Sequence, residues 1–293
     1  MSSKEFTVDE HIVSQFLLKN FSNEKDLICF VNIKSLKSNE SKSTVFMFEK
    51  DMYEFKTLSG EYFRRNFLEN RFAEMEGYIS KNLIYEDFNR QMTSDEIAVA
   101  HLLWALLLVK SKELKDLSLK IISEKSTGDK SLDKILSQSL YLSILDKTET
   151  SIEFLEKSNI VVDKSKFSKN EEDLLSYLLN YSFNNLIVYI VKADGNSEFI
   201  ISDSPVVKNQ FGDAKYIVPY SPKYAICFYP LTKDNLEKLN TSYLTGVPKI
   251  SKYIVDKINK YSCENARQFI ACSLSKENYV KELLKEVRGG KVE

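Results

Sequence analysis

The sequence predicts an α+β fold: a helix-rich single domain over residues 1–293 around a small, mostly antiparallel sheet, with a helical insert over roughly residues 93–180. Two observations carry this reading. Strand-like and helix-like runs are segregated along the chain, whereas a doubly wound sheet would alternate them. An Asp194-Gly195 pair also sits between two β-branched runs, which is the spelling of a hairpin.

At the N-terminus, Thr7 and Glu10 have capping-box spacing, and Ile12, Val13, Phe16, Leu17 and Phe21 follow at helical spacing. That predicts a helix with His11 in its first turns. Residues 26–33 and 43–48 are rich in β-branched and aromatic side chains and predict the two arms of a hairpin. From Glu61 to Leu83 the apolar positions Phe63, Phe67, Leu68, Phe72, Met75, Ile79 and Leu83 sweep one helical arc. Thr93 and Glu96 repeat the capping-box spacing and open a second helix, whose apolar core at residues 97–109 is too short for the roughly 20 residues of a membrane span. Two or three Leu-rich helices follow before Asp173. Strands are predicted at 186–191, 198–201, 216–218 and 224–229, and helices at 235–239, 251–260, 263–273 and 277–287.

Composition narrows the function classes. Lys plus Arg at 41 against Asp plus Glu at 42 leaves a net charge of -1, so no whole-chain field draws the protein to nucleic acid or anionic lipid. A local patch for nucleic acid stays open, as does a protein partner, and no membrane association is expected. The eight glycines form neither a Walker loop nor a dinucleotide cradle, so no nucleotide cofactor is expected. Cys29, Cys227, Cys263 and Cys272 lie in apolar runs without a C-x-x-C pair and read as buried hydrophobes in a reducing compartment. Glu5, Asp9 and Glu10 stand where a signal peptide would be apolar, so the expected location is the cytoplasm. Nucleophile-elbow, zinc-protease, deaminase and kinase spellings are missing, and Glu113-Leu114-Lys115 lacks the preceding strand acid a nuclease of that spelling would have.

Four residues remain as candidates for chemistry. His101 lies in the apolar run and reads as a hydrogen-bonded core residue, which leaves His11 as the accessible imidazole. Glu69 and Glu76 are seven apart, within about 20° of each other on a helix, and two carboxylates on one stripe can hold a cation or share a proton. Arg65, four residues before Glu69, equally suits an ordinary intrahelical ion pair. Asp203 follows a strand and precedes Ser204-Pro205, where it either points into a site or caps the turn.

These pieces together resemble an uncharacterised family, the domain of unknown function numbered 4238. Residues 11–21, from His11 to Phe21, are similar to its H-x-x-P-x-F-x-L-x-N-F signature, with Ser14 in place of the proline. Leu68-Glu69 and Met75-Glu76 resemble its "LE…IE" helix, and Ser202-Asp203-Ser204-Pro205 its "SD-x-P" strand end. Tyr220-Ser221-Pro222, and then Asn259 with Ala266, follow in the family's order. The resemblance brings a shortlist of His11, Glu69, Glu76 and Asp203 and no activity. One imidazole with three carboxylates suits a divalent cation, Mg²⁺ or Mn²⁺ ahead of Zn²⁺. The expectation is a metal-dependent hydrolase, most plausibly a nuclease or phosphodiesterase, with these four residues as catalytic and metal-binding groups. The alternative is a non-catalytic binding or regulatory protein in which they form a structural polar network.

Overall fold

The computed structural model describes residues 9–84, 88, 90, 92–166, 173–208, 213–243 and 246–289. The chain begins with β1 (Asp9–His11), α1 (Gln15–Lys19), β2 (Ile28–Asn32), β3 (Ser38–Ser41), β4 (Phe48–Lys50), β5 (Phe55–Lys56) and β6 (Tyr62–Phe63). Helices then dominate: α2 (Phe67–Asn82), α3 (Ser94–Val109), α4 (Lys112–Glu124), α5 (Lys130–Leu145), α6 (Thr148–Lys157) and α7 (Leu174–Asn185). The last third contains β7 (Leu186–Ala193), β8 (Ile201–Ser202), β9 (Val207–Lys208), β10 (Tyr216–Pro219), β11 (Tyr224–Pro230) and α8 (Lys233–Tyr243). It closes with β12 (Lys249–Ile250), α9 (Lys252–Asn265), β13 (Phe269–Cys272) and α10 (Glu277–Val287).

The fold is α+β, as the segregated runs predicted. Its strands form several small sheets rather than one: a five-stranded sheet in the order β12-β7-β11-β10-β9, a four-stranded sheet β3-β2-β13-β8, and the pairs β1-β4 and β5-β6. Among the described residues these pairings are antiparallel except β12 with β7. Helix α3 is apolar on every side and lies against α2 and α7, with Leu103, Trp104 and Leu106 in the main core. Its capping box forms as spelled, Thr93 accepting from the Glu96 N–H while the Glu96 carboxylate accepts from the Thr93 N–H. All four cysteines are free and buried. No helix among the described residues is long and apolar enough to cross a membrane.

Five expectations are corrected. Thr7 lies outside the described residues, and Glu10 is in strand β1 rather than in a capped helix, since the helix begins only after Ser14. Strand β2 pairs with β3 and not with residues 43–48. The reason is local: Asn32 Oδ1 accepts from the Lys34 and Ser35 N–H groups, both at 3.0 Å, and Leu36 turns left-handed with φ 54, so the chain doubles back at once. The Asp194-Gly195 turn forms, but residues 198–201 leave β7 for the other sheet. The buried Asn259 holds them, accepting from Ile200 N–H at 3.1 Å and donating to the Glu198 carbonyl at 2.8 Å, while Ile201 pairs with Ala271. Finally, residues 269–272 are a strand. Strand β13 is sandwiched between β2 and β8, and such a run of buried apolar residues has no period that separates it from a buried helix. The helix at 61–83 is shorter than expected, since β6 occupies its beginning, but it runs unbroken past Gly77.

Candidate acidic site around Glu10, Glu69 and Glu76

Helix α2 enters from Asn66, whose left-handed φ of 61 bends the chain out of strand β6. Leu68, Phe72 and Ile79 bury one face of the helix, while Phe67 and Met75 pack partly buried beside them. This leaves Glu69 and Glu76 half-buried on an adjoining stripe. Glu76 accepts from Ser14 Oγ at 2.8 Å and forms an ion pair with Lys110 Nζ. Lys110 follows the last residue of α3 and is 1% exposed, over the rings of Tyr53 and Phe72 at 5.9 and 5.7 Å. The Tyr53 hydroxyl returns a hydrogen bond of 3.0 Å to the Lys110 carbonyl.

Glu10 comes to the same place from β1. Side chains alternate along a strand, so Glu10 turns inward while its neighbour His11 faces the other way. It is fully buried: Oε2 accepts from the Tyr53 N–H at 2.7 Å, and Oε1 has no partner. Burial pushes its pKa up to about 8. The Tyr53 N–H opposes this, whereas the nearby charges of Glu69, Glu54 and Asp51 reinforce it. Burial also raises Glu69, with Lys110 opposing and Glu76 reinforcing, and its Oε2 is likewise buried without a partner. Burial raises Glu54 as well, against the 2.6 Å hydrogen bond it accepts from the Asn66 N–H. Asp51 accepts from the Tyr62 hydroxyl at 3.1 Å. Four of the seven non-glycine residues with positive φ among the described residues, Met47, Asp51, Arg64 and Asn66, fall in the segment that carries this cluster. Left-handed backbone at non-glycine residues is strained and gathers at sites that need a fixed geometry.

Of the sequence shortlist, Glu69 and Glu76 belong to one electrostatic unit. His11 packs its ring on Phe48 at a centroid distance of 6.0 Å, and Gln15 Nε2 lies 3.3 Å from each ring nitrogen. Asp203 accepts from the backbone N–H groups of Arg267, Gln268 and Phe269 at 2.8, 2.7 and 3.2 Å, the turn-capping alternative in an extended form. Its neighbour Ser204 donates to Glu113 Oε1 at 3.1 Å, which also accepts from Arg267 Nε at 3.2 Å. The expected four-residue metal set of His11, Glu69, Glu76 and Asp203 therefore does not assemble. Among the described residues no group of three or more His, Cys, Asp or Glu side chains is disposed to hold a metal ion. Sequence reasoning missed Glu10, which it assigned to a helix cap, and Lys110, which it left at the edge of an apolar run. The strand alternation next to His11 was the available signal for Glu10.

A model of the family described as protein of unknown function DUF4238 matches residues 10–275, and the chain belongs to that family. No curated protein and no solved structure matches the chain.

Proposed function

We propose that this member of the DUF4238 family is a divalent-cation-dependent hydrolase, working on phosphodiesters, whose cation is taken up by Glu10 and Glu69. The observation that carries the reading is the pair of buried carboxylate oxygens without partners, Glu10 Oε1 and Glu69 Oε2, on residues whose charges interact. Buried polar atoms are almost always hydrogen-bonded, so two bare carboxylate oxygens in one cluster call for a cation or a shared proton. Mg²⁺ is commonly held by one or two carboxylates, with waters and substrate phosphates in the remaining positions, and so needs no three-ligand protein cage. Such an ion would lower the pKa of bound water and offset phosphate charge. Glu76 and Lys110 would then be positioning residues that hold the α2 stripe. Lys56 on β5, paired with Asp51, and Arg64 just past β6, paired with Glu153, supply the local cationic groups a nucleic-acid backbone would meet.

Calorimetric titration with Mn²⁺ at pH 8.5 tests it. Binding with release of protons is expected in the wild type, and loss of at least tenfold in affinity in Glu69→Gln and Glu10→Gln. The next assay is incubation with single-stranded RNA, single-stranded DNA and duplex DNA in Mn²⁺. No heat in the wild type, or unaltered affinity in both variants, removes the cation; no cleavage of any nucleic acid removes the phosphodiester substrate. The binding-protein reading is favoured by one observation, the three backbone N–H groups on Asp203, which give that residue a structural task.

A further inference from the structure

A cavity of about 390 Å³, well separated in its lining from the acidic cluster, opens beside α3, α7 and the first half of β7. That volume is within the roughly 300–1,000 Å³ of small-molecule sites. Its walls include Ile97, Phe183, Leu186, Val188, Leu231 and Leu236, and His101 and Tyr189 are the lining residues with polar side chains. Phe183, Leu231 and Leu236 are 49%, 47% and 38% exposed, an unusual concentration of large apolar side chains left open around one hollow.

His101 is only 3% exposed, with its ring centroid 4.5 Å from that of Phe183 and tilted 41° to it. Its Nδ1 is hydrogen-bonded to Ser182 Oγ, and Ser182 is completely buried in α7. A buried hydroxyl must place its proton on an acceptor. The partner of the Ser182 hydroxyl is Nδ1, and with that hydroxyl as the donor Nδ1 is the bare nitrogen. Burial pushes the His101 pKa down to about 4, so the ring is neutral near pH 7 and its single proton resides on Nε2. Among the described residues Nε2 has no hydrogen-bond partner, yet it is not among the atoms sealed in the interior without one. The apolar cavity is thus offered one fixed N–H donor.

We propose that the cavity binds a small apolar molecule carrying a single carbonyl group, whose oxygen accepts from His101 Nε2–H. A charged ligand is disfavoured because the lining offers no counter-charge. A carbonyl oxygen is satisfied by the single donor of the His101 ring.

The test compares 2-nonanone with 2-methyl-1-nonene, in which a methylene replaces the carbonyl oxygen, each displacing N-phenyl-1-naphthylamine from the full chain. The ketone is expected to bind roughly fivefold to tenfold more tightly, the scale of one net hydrogen bond. His101→Phe should keep the alkene affinity and abolish the preference. Nitrogen-15 spectra of the wild type provide a readout that no variant's folding can confuse: the Nε2-protonated tautomer is expected, with Nε2–H shifting on addition of ketone and not of alkene. Failure of both ligands to displace the probe, equal affinities in the wild type, or an Nδ1-protonated ring would overturn the proposal.

Discussion

At the scale of single residues, Glu10 is, among the described residues, the carboxylate whose chemistry departs furthest from its ordinary behaviour. Its folded-state pKa of about 8 lies above the ordinary value of 4.5, so the folded state binds the proton more tightly than the unfolded chain. The corresponding stability is complete below about pH 4.5, declines as pH rises through that window, and is gone above about pH 8. The slope for one such group is about 1.4 kcal/mol per pH unit. Urea midpoints measured between pH 5 and 8 should fall with that sense, and Glu10→Gln, a permanent mimic of the protonated acid, should flatten the slope; an unchanged slope would refute it. Glu69 and Glu54, raised by the same cause, add to the trend. The Lys110–Glu76 pair makes a second prediction. Lys110 is 1% exposed and Glu76 18%, so stranding the lysine is worse than stranding the glutamate. Glu76→Gln should cost about 3–5 kcal/mol, the range for breaking a buried pair, and Lys110→Met less. Equal losses in chemical denaturation would count against this. The sequence revealed Glu69 and Glu76 because helical spacing alone aligns them. It hid Glu10 and Lys110 because their burial is decided by β1 pairing with β4 and by α3 ending against α2, contacts with no local spelling.

At the scale of elements, legibility followed how far each signal depended on neighbours. The cap of α3 is written in two residues and was readable, and Thr93→Ala should cost about 1 kcal/mol, seen as a lower denaturation midpoint; no change would show the box to be dispensable. The Asp194-Gly195 turn was equally readable, with Gly195 at φ 56, but the partner of the strand after it was not. That choice is made by Asn259, more than fifty residues downstream, whose amide replaces a strand neighbour for residues 198–200. The same residue donates to the Tyr279 hydroxyl at 3.1 Å and so ties α9 to α10. The misread at 269–272 has a related origin, since a strand buried on both faces shows neither alternation nor helical period.

Across the whole molecule, the four-stranded sheet joins the two ends of the sequence. In it β13 pairs with β2 on one side, Cys272 opposite Cys29, and with β8 on the other. Such contacts close very long loops and repay their entropy only when the chain is nearly complete. The turn leading into β13 also supplies the three N–H groups that satisfy the buried Asp203 carboxylate. A chain ending at Asn265 therefore loses more than its last strand and α10. It leaves β2 without its central neighbour, exposes the apolar cluster of Ile200, Cys263 and Val280's partners, and buries Asp203 without donors. The expected outcome is loss of the cooperative thermal transition and of the native near-ultraviolet dichroism, not a modest drop in melting temperature. Asp203→Asn in the full chain should be milder, costing about 1–3 kcal/mol, because an amide oxygen still accepts from part of the trio. A truncated chain that melts as sharply as the full one would show that residues 1–265 fold alone and that the sheet uniting the two ends is an accessory to the fold.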